Sequence, residues 1–323
     1  MILKKNKLMR VLISSYHMNL VLSRYSKVLK KNKIKIDKII RNPSVKENEL
    51  LGIIHKYDGV ICSDDEFTEK VLKNAKKLKV ISKWGTGIDS IDSNFAKKKG
   101  IKIFNSPGAF TKGVAQYALG VILNLTRKIS ENNQSVKNGK WEKFQGINIE
   151  NKKVGIIGLG KIGSQVAKIG QAFGMQVVVW SENLDLPFAN KLNVLPMSKE
   201  ELLKQSDIIS LHVVLGDRYK NLISKKEFDI MKKTCFLINT SRGPIINEKD
   251  LVEALEEDII AGVGLDVYDV EPLPQDHKLR FLPNALLLPH LGYVTEENYS
   301  KFYLQMIENL ESCLSGKPKR VLS

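Results

Sequence analysis

The chain has 323 residues, enough for two domains with separate cores. Hydrophobic residues make up 43% and charged residues 27%, a globular balance, and no run approaches the length of a transmembrane span, so no membrane partner is expected. The formal net charge is +16, yet only eight of the 51 basic residues are arginine, and the lysines are dispersed, as at Lys76-Lys77, Lys97-Lys98-Lys99 and Lys232-Lys233; proteins that read nucleic acid cluster their cations and favour arginine, so no nucleic acid is expected either.

The first residues, Met1-Ile2-Leu3-Lys4-Lys5-Asn6-Lys7, lack the apolar core and cleavage site of a signal peptide. Strands are expected at 10–14, 59–62, 79–82 and 101–104, with helical patterns at 20–31 and 68–76. Asn105-Ser106-Pro107-Gly108 breaks the pattern, and a long apolar-periodic helix is expected from 113 to 129. A glycine-rich unit follows. Further strands are expected near 208–211, 235–239, 262–265 and 285–288, and then a C-terminal helix. This alternation argues for an α/β fold with parallel sheets. Cys62, Cys235 and Cys313 show neither metal-ligand spacing nor a disulfide framework, so the expectation is a cytoplasmic protein without a metal site.

The glycine-rich unit is Val154-Gly155-Ile156-Ile157-Gly158-Leu159-Gly160-Lys161-Ile162-Gly163, followed by a helical pattern at 162–173 and a second apolar run at 177–180. Gly158 permits the tight turn, Gly160 lets the backbone approach a pyrophosphate, and Gly163 allows close packing of helix on strand. The helix N-terminus offers N–H groups, here from Lys161 and Ile162 onward, to the anion. Framed by strand and helix, the motif points to dinucleotide binding.

Three later segments follow or end expected strands: Ile238-Asn239-Thr240-Ser241-Arg242-Gly243-Pro244, Leu265-Asp266-Val267-Tyr268-Asp269-Val270-Glu271-Pro272 and Leu288-Pro289-His290-Leu291-Gly292. With the glycine loop, they resemble the D-isomer-specific 2-hydroxyacid dehydrogenase family, in matching order from about 60 to 295. The resemblance implies two Rossmann-like domains, with a cofactor domain at 112–289 inserted in a substrate domain formed by 1–111 and 290–323. Ligands of open α/β sheets gather beyond the strands' carboxyl ends, so the expected site is the cleft between the domains.

The implied activity interconverts a small 2-keto acid and its D-2-hydroxy acid with a nicotinamide cofactor. His290 would supply or take the proton, Glu271 would orient the imidazole and favour its protonated form, and Arg242 would hold the substrate's carboxylate and carbonyl. Taken singly, each of these residues has an ordinary structural reading; the joint pattern carries the assignment. His212 and Val213 match a strand end near the cofactor, with backbone contact rather than catalysis expected. Thr240, Asp266 and Gly292 match positions along the cofactor, Asp266 near the nicotinamide carboxamide. His17, His55 and His277 are expected at the surface. In the first domain, Lys83-Trp84-Gly85-Thr86-Gly87-Ile88-Asp89 resembles the loop that receives the substrate carboxylate on backbone N–H groups. The helix beginning near Val114 resembles the family's dimer interface, which implies a homodimer.

Two features leave alternatives open. The acidic residue expected about 20 positions beyond the glycines is replaced by Ser181. Glu182 follows, without an arginine, and would repel a 2′-phosphate or bind the ribose hydroxyls by shifting inward; NAD is expected, with NADP open. Phosphoglycerate dehydrogenases are a tempting match, with Lys83 where a phosphate-binding cation would lie. Yet Ser63-Asp64-Asp65-Glu66 sets three carboxylates near it, and the chain ends without the regulatory extension of some of those enzymes. Phosphohydroxypyruvate, hydroxypyruvate and glyoxylate all remain candidates. The alternative from another class is a nucleotide-sensing binding protein, similar to the co-repressors of this scaffold. Formate dehydrogenase is less similar around Glu271.

Overall fold

Short β-branched runs that are apolar on both faces become central strands here. In the computed structural model, which describes residues 8–15, 18, 22–31, 33–39, 44–85, 87–106, 110–314, 318 and 321–322, they build two parallel sheets. The chain divides into two compact units, Met1–Ala109 with Thr295–Ser323, and Phe110–Val294.

The first unit holds β1 (Met9–Ile13), β2 (Ile34–Lys38), β3 (Gly59–Cys62), β4 (Val80–Lys83) and β5 (Lys102–Phe104), in the order β2-β1-β3-β4-β5. Leu12, Val60, Cys62, Ile81 and Ile103 share one fully buried cluster with Phe67 and Leu72. Strand β2 was not expected from the sequence. It is an edge strand with charged residues at Lys35 and Asp37, so its apolar signal is diluted.

The second unit holds β6 (Lys153–Ile157), β7 (Gln176–Trp180), β8 (Leu195–Pro196), β9 (Ile208–Leu211), β10 (Phe236–Asn239), β11 (Gly262–Leu265) and β12 (Ala285–Leu287). Their order is β12-β11-β10-β9-β6-β7-β8, all parallel, so the direction of winding reverses beside β6. Alternate residues feed two cores. Ile157, Val178, Ile209, Leu211, Leu237 and Leu265 face one; Val154, Ile156, Val177, Val179, Ile208 and Ile238 face the other.

The Thr111–Arg127 helix covers the second of these faces with Ala115, Ala118, Val121, Ile122 and Leu125. Gly264 permits its approach, because a Cβ there would lie 2.4 Å from Val121 Cγ1. The expected helix to 129 ends earlier. Lys128 takes a left-handed conformation at φ 54° as its C-cap, and a separate helix, Ile129–Lys137, begins. Asn124 fixes the break by accepting the Ser130 N–H at 2.8 Å and donating to its hydroxyl at 2.8 Å. His290 also differs from expectation, since it goes with the inserted unit rather than the flanking one. The reason is local: the Leu291 and Gly292 N–H groups both bond the Asp266 carboxylate, at 2.7 and 2.9 Å.

Candidate active site

Strands β6, β7, β9, β10, β11 and β12 deliver the candidate residues of the second unit, each just beyond its carboxyl end. Ligands of open α/β sheets bind at that edge, where the winding reverses.

The glycine loop leaves β6 and enters the Lys161–Ala172 helix. His212 N–H bonds Ile157 O at 2.7 Å, which brings the two strand ends together. Gly158 sits at φ 101°, and a Cβ there would lie 2.6 Å from the His212 carbonyl oxygen. At Gly163 a Cβ would lie 2.0 Å from Gly158 O, so the helix packs directly on the turn. Gly160 is the opposite case, with no atom within 4 Å of where its Cβ would stand. As the N-cap of a 12-residue helix, it also places no side chain on the first-turn N–H groups.

Ser181 Oγ accepts the Leu159 N–H at 2.8 Å and so braces this turn, while Glu182 beside it is exposed. Lys161 is exposed, Ile162 half-buried and Val213 buried. The Thr240 hydroxyl is buried without a hydrogen-bond partner, an orphan that a bound polar ligand would satisfy. An open glycine, an uncapped helix N-terminus and an orphan hydroxyl together fit a dinucleotide. His212 places Nε2 2.8 Å from Ser210 Oγ, and burial pushes its pKa down to about 4, so the ring is neutral near pH 7.

The expected acid/base pair is assembled. His290 Nδ1 lies 2.8 Å from Glu271 Oε2, while Glu271 Oε1 accepts the Tyr268 N–H at 3.1 Å. His290 holds a left-handed backbone at φ 57°, which is costly for a non-glycine residue. The clamp on either side is dense. The Tyr268 hydroxyl bonds both the carbonyl and the N–H of Leu288 at 3.0 Å, and Asp266 holds Leu291 and Gly292. Tyr293 packs edge-on against the His290 ring at 5.7 Å.

Asp266 is buried and also accepts the Tyr117 hydroxyl at 2.8 Å. Burial raises its carboxyl pKa despite these donors, and burial together with the Asp266 charge pushes the Tyr117 phenol far above its usual range. The sequence expectation set Asp266 beside the nicotinamide. In the structure its oxygens already receive three hydrogen bonds, two of them from the His290 loop and one from Tyr117.

Arg242 follows β10 in a turn pinned by Asn239, which accepts the Ser241 N–H at 3.0 Å and donates to Arg242 O at 2.9 Å. Ser241 Oγ reaches Leu211 O at 2.7 Å, and Arg242 Nη1 donates to Ser241 O at 2.7 Å. Gly243 is required next, because a Cβ there would lie 2.1 Å from the Tyr268 carbonyl carbon. The Arg242 turn therefore rests on the backbone that leads to Glu271. Sequence reasoning missed Tyr117, Asn239, Ser241 and Tyr268 as supports. The last three lie within the motifs and offered that signal, whereas Tyr117 looked like one more residue of an apolar helix.

In the first unit, Trp84 is engaged internally. Its N–H bonds Cys62 O at 2.7 Å, and its indole packs on Tyr299, Phe302 and Tyr303 at 5.3, 4.7 and 5.1 Å. Gly85 is left-handed at φ 107°, with open space where a Cβ would stand, and its carbonyl accepts the Ser106 N–H at 2.9 Å. Gly87 is half-buried, and Thr86 lies outside the described residues, as does His17.

Lys83 Nζ donates to Asp64 Oδ1 at 2.7 Å and to Trp84 O at 3.1 Å, so the cation considered for a substrate phosphate already has a counter-ion. Asp65 turns inward to Ser14 and the Val45 N–H, both at 2.6 Å, and Glu66 pairs with Lys46 at 2.9 Å. His55 is exposed, but His277, expected at the surface, has a side chain only 21% exposed and bonds Glu248 at 3.0 Å. Among the described residues, no helix is long and apolar enough to cross a membrane.

A model of the NAD binding domain of D-isomer specific 2-hydroxyacid dehydrogenases matches residues 119–292. The hydroxypyruvate reductase of Thermotoga maritima is 35% identical over 303 residues, 91% of this chain and 96% of that protein. A D-3-phosphoglycerate dehydrogenase of Synechocystis sp. is 36% identical over 277 residues, 85% of this chain but 50% of that protein, so the chain spans about half its length. Among solved structures, the D-lactate dehydrogenase of Aquifex aeolicus, complexed with NAD and lactic acid, has a TM-score of 0.84 at 26% identity and covers 95% of this chain and 96% of that one. The chain belongs to the D-isomer-specific 2-hydroxyacid dehydrogenase family, and residues 119–292 are its NAD-binding domain.

Proposed function

We propose that this protein is an NAD(P)-dependent oxidoreductase that interconverts a small 2-keto acid and its D-2-hydroxy acid. The observation that carries the reading is the His290–Glu271 pair, 2.8 Å apart, in the unit that also holds the glycine loop. Relatives named as reductases and dehydrogenases support the enzyme over the nucleotide-sensing alternative.

The cofactor, when bound, supplies the nicotinamide that gives or takes a hydride. Gly158, Gly160, Gly163 and the N–H groups of Lys161 and Ile162 would hold its pyrophosphate, with Ser181 or Glu182 toward the ribose. His212, Val213, Thr240, Asp266 and Gly292 line the same strand-end edge. In keto-acid reduction, negative charge builds on the carbonyl oxygen, and His290 donates the proton that quenches it. Glu271 favours the imidazolium by charge and fixes the ring through Nδ1. Arg242, a planar cation, holds the substrate carboxylate and carbonyl. In the reverse direction His290 takes the hydroxyl proton.

The backbone N–H groups of Gly85, Thr86 and Gly87 are proposed to receive the substrate carboxylate. Trp84 would act by shaping this loop, since its own N–H is engaged. The pairing of Lys83 with Asp64 favours unphosphorylated substrates such as hydroxypyruvate or glyoxylate over phosphohydroxypyruvate. Cytoplasmic residence is proposed from the free cysteines, of which Cys62 and Cys235 are buried.

A homodimer is proposed through the Thr111–Arg127 helix and the segment after it. Trp141, Phe144 and Ile147 there are 80%, 44% and 39% exposed, apolar side chains that a second copy would cover.

The test is oxidation of NADH and NADPH across glyoxylate, hydroxypyruvate, its phosphate ester, pyruvate and a branched 2-keto acid. Turnover with one of them is expected, and His290→Ala should lower kcat by roughly 10²–10⁴-fold with cofactor affinity nearly unchanged. Wild-type turnover in that variant would remove the acid/base assignment.

A further inference from the structure

The loop that carries Glu271 runs without strand or helix from Asp266 to His277, and two side chains outside it hold it at two points each: Arg280, which donates to Leu273 O at 2.6 Å and Pro274 O at 2.7 Å, and Glu248, which grips it closer to Glu271. Glu248, in the first turn of the Glu248–Glu256 helix, accepts the Asp269 N–H on Oε2 at 3.4 Å. Its Oε1 lies 3.0 Å from His277 Nε2. The His277 tautomer follows from the other ring nitrogen: Nδ1 accepts the Leu279 N–H at 3.2 Å, so Nε2 carries the proton directed at Glu248. Asn247 caps the same helix by accepting the Asp250 N–H at 3.1 Å, and Gly243, four residues earlier, lies against the Tyr268–Asp269 backbone. Glu248 thus joins the Arg242 turn to the loop that holds Glu271.

We propose that Glu248 is a positioning residue for the reaction: by bracing the loop at Asp269 and His277, it keeps the Glu271 carboxylate aligned on His290 Nδ1. The need for a brace follows from exposure. The Glu271 and His290 side chains are 34% and 30% exposed, and a half-solvated pair holds its geometry only when the backbone beneath it is fixed. Asp266 and Tyr268 fix the inner side of the loop, while Glu248 fixes the outer side, where Val270 is 60% exposed. The ionisable groups around the pair and its brace are Asp266, which faces His290, Tyr268, which faces Glu271, and Asp269, Lys220 and Arg280. The proposal rests on the reading of His290 as acid/base.

The experiment uses the full chain and two readouts: NMR titration of the His290 ring without cofactor, and hydroxypyruvate reduction with NADH against pH. Glu248→Ala is expected to lower the His290 titration midpoint, because a misaligned carboxylate favours the imidazolium less. It should also lower kcat roughly 10-fold with NADH affinity unchanged. Glu248→Gln keeps one acceptor and should recover part of both effects, and His277→Phe should shift the midpoint in the same direction. An unshifted midpoint with wild-type kcat and only a lower Tm would overturn the proposal. If Glu248→Ala fails to fold, unshifted midpoints in Glu248→Gln and His277→Phe would overturn it equally. Turnover surviving in His290→Ala is a separate outcome that removes the acid/base reading, while the NMR midpoint still reports on the brace.

Discussion

At His212, burial acts on a single proton. The ring is held with a pKa of about 4 against an ordinary value of 6.5, so it is neutral in the folded protein down to mildly acid pH. Between those two values the unfolded chain binds a proton that the native state refuses. Stability is therefore full above about 6.5 and is lost as pH falls toward 4, by at most about 3 kcal/mol. His212→Gln removes the titration and keeps a partner for Ser210. Urea unfolding at several pH values from 7.5 to 4.5 should show a flatter decline in the variant than in wild type. Parallel declines would mean that the buried ring contributes nothing to acid sensitivity. The sequence sets His212 at a strand end with backbone contact rather than catalysis expected, and its side chain pairs with Ser210 Oγ.

Among the elements, glycines separate what builds the fold from what receives the ligand. Gly163→Ala places a Cβ 2.0 Å from Gly158 O, a backbone clash that no rotamer relieves, and should lower both Tm and NADH affinity. Gly160→Ala meets nothing within 4 Å and should leave the melting temperature of the cofactor-free protein within a few degrees of wild type. It should weaken NADH binding about tenfold or more, measured by isothermal titration calorimetry, because a Cβ there would occupy the pyrophosphate's approach. Wild-type affinity in Gly160→Ala would displace the pyrophosphate from this loop. The motif made these glycines legible, and apolar runs made the strands of the second unit legible except β8, a two-residue edge strand with Leu195 exposed that the sequence did not announce. The break at Lys128 was not legible, since it depends on the Asn124 side chain reaching Ser130 across the turn. The supports of the proposed acid/base pair were hidden for a similar reason. Glu248 reads as one more acid in a helix first turn, and Tyr117 as one more helical aromatic, until tertiary contact gives each a partner.

At the scale of the whole molecule, charge and exposed apolar surface oppose each other. A chain of net charge +16 repels its own copies at long range, and Lys137, Lys140 and Lys143 lie within four residues of the exposed Trp141, with Lys140 paired to Glu142 at 3.5 Å. Burying Trp141, Phe144 and Ile147 in a dimer would gain several kcal/mol from apolar area alone, at about 25 cal/mol per Å². The repulsion acts over a Debye length of about 10 Å at 0.1 M salt and about 3 Å at 1 M. Salt should therefore tighten the proposed homodimer rather than dissolve it. Sedimentation equilibrium at 0.05, 0.15 and 0.5 M NaCl should give a dimer whose Kd falls as salt rises. Trp141→Glu should shift the population toward monomer at every salt concentration, since it loses apolar burial and carries a charge that must be desolvated in the interface. Unchanged association in Trp141→Glu would move the interface off this segment, and weakening with salt would mean that ion pairs rather than apolar burial hold the two copies together.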